Sequence, residues 1–159
     1  MAARTVTLRL AGAQDAPAMA LMSRDLIEAG LAWRYSPKRV AGLIAEPETA
    51  ALVACDATHL LGFAVMQFGD ERAHLSLLCV QPAQQRRGIA RCLLGWLLES
   101  ACVAGMASIH LELRADNEAA RMFYRALGFS ETILVPGYYE GRFAARRMMR
   151  LLRAPKPMA

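Results

Sequence analysis

Hydrophobic and polar positions change along this chain in short runs, and the runs mark most of its elements. Thr5–Leu10 reads as an extended first strand, with Val6, Leu8 and Leu10 separated by polar residues. Gly12 stands where a helix N-cap is wanted, Asp15 falls in the first turn, and Pro17 comes early enough to be tolerated. A first helix is therefore expected over about 13–30, ended by Gly30. Ser36-Pro37 starts a second helix, with serine as cap and proline at the first position, running to about Glu46. Ala50–Cys55 and Leu60–Phe68 read as strands two and three, joined by a turn through Asp56–Thr58. Arg72–Val80 reads as strand four, paired back through Gly69-Asp70-Glu71. Its second half (Leu75, Leu77, Leu78, Cys79 and Val80) is mostly apolar and closes at Gln81-Pro82, because proline cannot donate to a ladder. Ile89–Ala104 is apolar on most faces, with Arg91, Gly95 and Glu99 as a polar stripe and Gly105 as a helix stop. Strand five (Ser108–Arg114), helix four (Glu118–Leu127), strand six (Phe129–Val135) and strand seven (Phe143–Leu152) follow. Ala154–Ala159 is expected to be a frayed tail.

The junction Gln85-Arg86-Arg87-Gly88-Ile89-Ala90 links strand four to helix three. A short loop with a glycine, placed between a strand and a helix N-terminus, leaves N–H groups beside a positive dipole end and makes an anion site. It is not a Walker loop, since Gly-Lys-Ser/Thr is absent. Nor is it the dinucleotide fingerprint, since Gly88 stands alone where three glycines are expected. The plain alternative is a strand-to-helix turn with exposed arginines.

Downstream, His110-Leu111-Glu112-Leu113-Arg114 leads into Asn117-Glu118-Ala119-Ala120-Arg121-Met122-Phe123-Tyr124-Arg125-Ala126-Leu127-Gly128-Phe129. Together with Gln-x-x-Gly-x-Ala, this block resembles the GCN5-related N-acetyltransferase (GNAT) superfamily. Within it, the Leu-Glu-x-Arg and Phe-Tyr-x-x-x-Gly-Phe segments are similar to the bacterial ribosomal-protein alanine N-acetyltransferase group. The resemblance is good from Leu75 to Phe129, partial to Leu152 and architectural before that. It implies an α/β fold: a mixed, mostly antiparallel twisted sheet of about seven strands with four helices, strands four and five splayed. One domain over 1–153 is expected, followed by the tail.

The resemblance also implies a division of labour. The amides of Arg86, Arg87, Gly88, Ile89 and Ala90 would hold the diphosphate of acetyl-CoA. The pantetheine arm would lie between strands four and five, bonded to the backbone near Cys79 and Val80, with a backbone N–H there as oxyanion donor. Asn117, a plausible helix N-cap in its own right, would add a side-chain bond to the pantetheine. Tyr124, seven residues after Asn117 and so near the same helix face, would stand at the thioester sulfur as general acid. Its alternative is a core tyrosine beside Phe123. Glu112 would be the general base, acting through water; strand alternation groups it with His110 and Arg114, opposite Leu111 and Leu113. Its alternative is a surface glutamate paired with Arg114. Adjacent Tyr138 and Tyr139, in Val135–Gly141, resemble the peptide-gripping tyrosines of N-terminal acetyltransferases. The opposite wall would come from Leu31–Tyr35, with Trp33, Arg34 and Tyr35 exposed. Both segments also read as ordinary loop packing, and the histidines have no evident partner.

Composition narrows the rest. At 159 residues and 55% hydrophobic, the chain can bury a real core, and no apolar run approaches the ~20 residues of a membrane span. Met1–Leu10 lacks a long apolar core, so it is read as a strand and not a signal peptide. The four cysteines (Cys55, Cys79, Cys92 and Cys102) lie in apolar patterns without metal-ligand spacing, so buried reduced thiols and no metal are expected. The net charge of +5 suits a polyanionic cofactor, and no basic-aromatic motif points to nucleic acid. Direct acyl transfer needs no serine or cysteine nucleophile, so the lack of Gly-x-Ser-x-Gly is no objection. The expectation is a cytoplasmic N-acetyltransferase, monomer or homodimer, moving acetyl from acetyl-CoA to a primary amine such as a protein or peptide N-terminus. The alternatives are a small-molecule amine acetyltransferase and an inactive CoA-binding module. Having both Glu112 and Tyr124 argues against the last, since a binding module needs neither.

Overall fold

A computed structural model describes residues 5–153. Its elements run β1 (Thr7–Leu10), α1 (Ala16–Met22), α2 (Pro37–Ala45), β2 (Thr49–Cys55), β3 (Leu60–Phe68), β4 (Arg72–Val80), α3 (Ile89–Val103), β5 (Ser108–Arg114), α4 (Glu118–Ala126), β6 (Ser130–Tyr139) and β7 (Phe143–Leu151). The strands hydrogen-bond in the order β1-β2-β3-β4-β5-β7-β6. The β4–β5 pair is parallel, while β1–β2, β2–β3, β5–β7 and β6–β7 are antiparallel. This is the mixed, mostly antiparallel sheet with four helices that the resemblance implied. The expected tail lies outside the described residues.

Tertiary contacts divide the chain into two compact units. One comprises residues up to Gln67 with Ser76–Ser100; the other comprises Phe68–Leu75 with the residues from Ala101 onward. In the first, Met19, Met22, Val40, Val53, Phe63, Val65 and Leu77 form a buried cluster. Burial of each such side chain contributes about 1.5–3 kcal/mol. Ser36 caps α2 as expected, its Oγ accepting from the Arg39 N–H at 3.3 Å. The first helix departs from expectation. A 3-10 turn over Ala13–Asp15 precedes α1, and a π turn over Ser23–Ile27 follows it. The start is clamped by Asp15, whose carboxylate accepts from Arg9 at 2.7 and 2.9 Å and from the Gly12 N–H at 2.8 Å. The bonds to Arg9 hold that carboxyl below the usual aspartate range.

In the second unit, β5 buries Ile109, Leu111 and Leu113 on one face. His110, Glu112 and Arg114 are only partly buried on the other. Asn117 caps α4, its Oδ1 accepting from the Ala120 N–H at 3.1 Å. Strand six extends beyond expectation: β6 continues through Pro136 and Gly137 to Tyr139, so Tyr138 and Tyr139 sit on a strand and not in a loop. A register shift between Val135 and Tyr139 absorbs the Pro-Gly pair and restores pairing at Tyr139–Phe143. The thiols are less buried than expected: Cys55 and Cys79 are partly buried, and Cys92 and Cys102 are exposed because the outward face of α3 is wider than its polar stripe.

Gly62 fits only because it lacks a side chain. A Cβ there would meet the Cys79 carbonyl at 2.8 Å and Val80 Cγ2 at 3.0 Å. The backbone oxygen cannot yield cheaply, so Gly62→Ala is expected to destabilise the protein by about 1–3 kcal/mol in denaturant unfolding. An unchanged midpoint would show that β4 can move away from β3 at no cost.

Candidate active site

Glu112 is the centre of the second unit's polar face. The β5–β7 register sets Arg147 directly across from it, and the parallel β4–β5 register brings His74 beside His110, two residues away. His74 Nε2 lies 2.5 Å from Glu112 Oε2, and Arg147 Nε lies 3.5 Å from Oε1. The Glu112 side chain is 17% exposed and that of His74 43%. The bond to His74 holds the Glu112 carboxyl below the usual range; burial opposes this, and the charges of His74 and Arg147 reinforce it. Glu112 is thus ionised at neutral pH, with a solvent-facing imidazole on one oxygen. Arg72, His74, His110, Thr132 and Arg147 help line a cavity of about 320 Å³ around it. His110 is held by Ser108 Oγ at 2.9 Å, and burial followed by the nearby Arg72 lowers its pKa.

The pairing of Glu112 with Arg114, the alternative weighed above, does not form. Arg114 instead sits over the Phe143 ring at 5.2 Å and the Tyr139 ring at 6.0 Å. Sequence reasoning missed His74. Its signal was the alternation Arg72-x-His74-x-Ser76, which puts these polar residues opposite buried Ala73, Leu75 and Leu77.

Tyr138 and Tyr139 meet edge to face with centroids 4.9 Å apart. Arg147 lies over Tyr138 at 5.8 Å, which ties this pair to the Glu112 cluster. Burial pushes the Tyr139 phenol up to about 12, so it remains a protonated donor at any physiological pH. Tyr124 is buried on α4 and packs edge to face with Phe123 at 5.1 Å and Phe129 at 5.6 Å.

The first unit holds the other sequence candidates. Pro82–Gln84 forms a 3-10 turn, after which Arg86 (φ 65°) and Gly88 (φ 78°) adopt left-handed backbone. Such a conformation costs a non-glycine residue about 1–3 kcal/mol, and this chain tolerates it at Arg86. The Cys92 N–H bonds the Gly88 carbonyl at 3.0 Å and opens α3, so the preceding N–H groups emerge at the helix end. A Cβ on Gly88 would meet nothing within 4 Å, and Arg86 and Arg87 are exposed. Open space at Gly88, a helix start and two exposed arginines are features that an anion site uses. The Val80 carbonyl accepts from Gln85 Nε2 at 3.3 Å, so the loop is tied to the end of β4. Burial drives the Cys79 thiol far above its ordinary pKa, which excludes it as a thiolate nucleophile. Trp33 is exposed as expected, at 39%; Tyr35, expected to be exposed, is instead partly buried, because it packs against the first unit's core with the Arg39 guanidinium 4.6 Å from its ring.

The chain belongs to the acetyltransferase (GNAT) domain family, whose model matches residues 22–150. Over 80 residues, half of this chain, it is 38% identical to the ribosomal protein bS18-alanine N-acetyltransferase of Escherichia coli K12. That match covers 54% of the relative, so the chain spans about half the length of such curated relatives. The crystal structure of the ribosomal-protein-S18-alanine N-acetyltransferase from Escherichia coli superposes with a TM-score of 0.82 at 28% identity, covering 98% of this chain and 99% of that one. Arabidopsis thaliana NAA60 in complex with a bisubstrate analogue also gives 0.82, covering 94% of this chain and all of the other; at 16% identity this is a likeness of fold.

The Glu112 pairing makes a pH-dependent contribution to stability. Because the folded carboxyl titrates below its unfolded value of about 4.5, the contribution is complete above that pH and is lost as pH falls through the folded pKa. Glu112→Gln is expected to cost about 1–3 kcal/mol at pH 7 and progressively less below pH ~4.5, measured by denaturant unfolding across pH. A gap that stays constant down to pH ~3 would contradict this linkage.

Proposed function

We propose that this chain is an N-acetyltransferase that moves the acetyl group of acetyl-CoA directly to a primary amine, the N-terminal α-amine of a protein or peptide. Family membership supports the reaction class. The likeness to bS18-alanine N-acetyltransferases supports an α-amine acceptor. The observation that carries the reading is Glu112, a mostly buried ionised carboxylate held by His74 and Arg147 on the strand that leads into the Asn117–Tyr124 helix. An α-amine, with a reference pKa near 8, is partly neutral at pH 7, so a modest base suffices. A lysine near 10.4 would demand more.

Each residue then has a task. Backbone N–H groups of Arg86–Ala90 bind the diphosphate, with Arg86 and Arg87 adding positive charge. Bound acetyl-CoA supplies an acyl group already activated as a thioester. The β4 backbone at Cys79–Val80 pairs with the pantetheine arm and offers an N–H to the developing oxyanion, a contribution of roughly 3–4 kcal/mol in acyl-transfer enzymes where it has been measured. Glu112, with His74 on its outer oxygen, receives the amine proton through water. Tyr124 gives its phenolic proton toward the departing sulfur. A phenol near 10 facing a thiol near 8.5 makes that transfer mildly uphill, so strong hydrogen bonding is the larger part of its help. Asn117, already a helix cap, turns its side chain to the pantetheine as well. Trp33 and Tyr35 in the first unit, and Tyr138 and Tyr139 in the second, are the side chains assigned to holding the peptide backbone.

Tyr124→Phe tests the reading at one atom. It is expected to lower kcat by about 10²-fold while leaving acetyl-CoA affinity, measured by calorimetry, nearly intact. Unchanged kcat would return Tyr124 to the packing role that its contacts with Phe123 and Phe129 already give it.

A further inference from the structure

Glu28 is a buried carboxylate to which acetyl transfer assigns no task. It is 6% exposed, and both its oxygens are bonded. Oε2 accepts from Ser23 Oγ at 2.9 Å; Oε1 accepts from the backbone N–H of Arg34 at 2.7 Å and of Tyr35 at 3.2 Å. The π turn over Ser23–Ile27 brings it there. Its closing bond runs from the Glu28 N–H to the Ser23 carbonyl at 2.8 Å, and the extra residue in that turn rotates Glu28 inward. The Leu31 N–H then bonds the Glu28 carbonyl at 2.9 Å, so the chain reverses beneath the carboxylate.

A second tie holds the same segment. Trp33 Nε1–H donates to the Ala20 carbonyl on α1 at 3.1 Å, and Arg24 lies over the indole at 5.4 Å. The backbone of Arg34 and Tyr35 is therefore fixed by a buried carboxyl oxygen, and the Trp33 ring by a helix carbonyl.

We propose that Glu28 is a positioning residue for the acceptor: its carboxylate pre-orders residues 33–35 so that Trp33 and Tyr35 meet the incoming peptide without reorganising. This rests on reading that segment as part of the acceptor wall. A segment ordered in advance pays no ordering entropy on binding, so the effect belongs in KM for the peptide and not in kcat.

The test compares Glu28→Ala, Glu28→Gln and Trp33→Ala by steady-state kinetics with a peptide acceptor and by amide hydrogen exchange. Glu28→Ala is expected to raise the peptide KM about tenfold or more, with kcat and acetyl-CoA affinity within about twofold, and to speed exchange at the Arg34 and Tyr35 amides. Glu28→Gln keeps a carbonyl for those two N–H groups and is expected to restore most of both. Fast exchange at Arg34 and Tyr35 with an unchanged peptide KM would overturn the proposal. So would a Glu28→Gln variant with protected amides and a KM as poor as that of alanine; this arm stands even where Glu28→Ala fails to fold. If Trp33→Ala leaves the peptide KM unchanged, the acceptor-wall reading itself fails, whatever Glu28 does.

Discussion

A mostly buried, paired carboxylate on β5 is the constraint on which the rest of the polar face depends. Glu112 cannot choose its surroundings, because β5 is bonded to β4 on one side and β7 on the other. The parallel register on one side fixes His74, and the antiparallel register on the other fixes Arg147. A one-residue slip of either neighbour would turn His74 or Arg147 to the opposite face, away from Glu112. Buried without partners, such a charge would be costly; between an imidazole and a guanidinium it is held ionised. The core face and the chemical face of β5 are thus one fact seen from two sides.

The first unit solves a similar problem by other means. There a buried carboxylate, Glu28, is satisfied mainly by backbone N–H groups of a connection that has no regular structure of its own. Loops rarely hold a fixed shape unless something charged or hydrogen-bonded holds it for them. The Arg86–Gly88 segment is a third case: two residues with left-handed backbone shape the connection that leads into α3.

Much of this was legible in the sequence. Strands β3, β4 and β5 begin and end where hydrophobic runs and turn residues place them, and the Glu112 face followed from simple alternation. What was not legible depended on distant partners. His74 pairs with a residue 38 positions away, and no local pattern announces such a pair. Pro136-Gly137 reads as loop punctuation, yet pairing with β7 carries the strand through it to Tyr139. The π turn owes its geometry to bonds of Glu28 with Ser23 and with a later segment, so periodicity alone gave one continuous helix. Cys92 and Cys102 were read as buried because cysteine usually is, whereas their positions on α3 face outward.

The most direct measurement is to incubate the protein with acetyl-CoA and a peptide that carries both a free N-terminus and an internal lysine. Release of CoA is followed, and the acetyl group is localised by fragmentation mass spectrometry. At pH 7 acetylation is expected on the α-amine, with the lysine left free, because the α-amine is partly neutral before a base acts on it and the lysine almost wholly charged. Acetyl on the lysine, or turnover of simple amines equal to that of every peptide tried, would contradict the account.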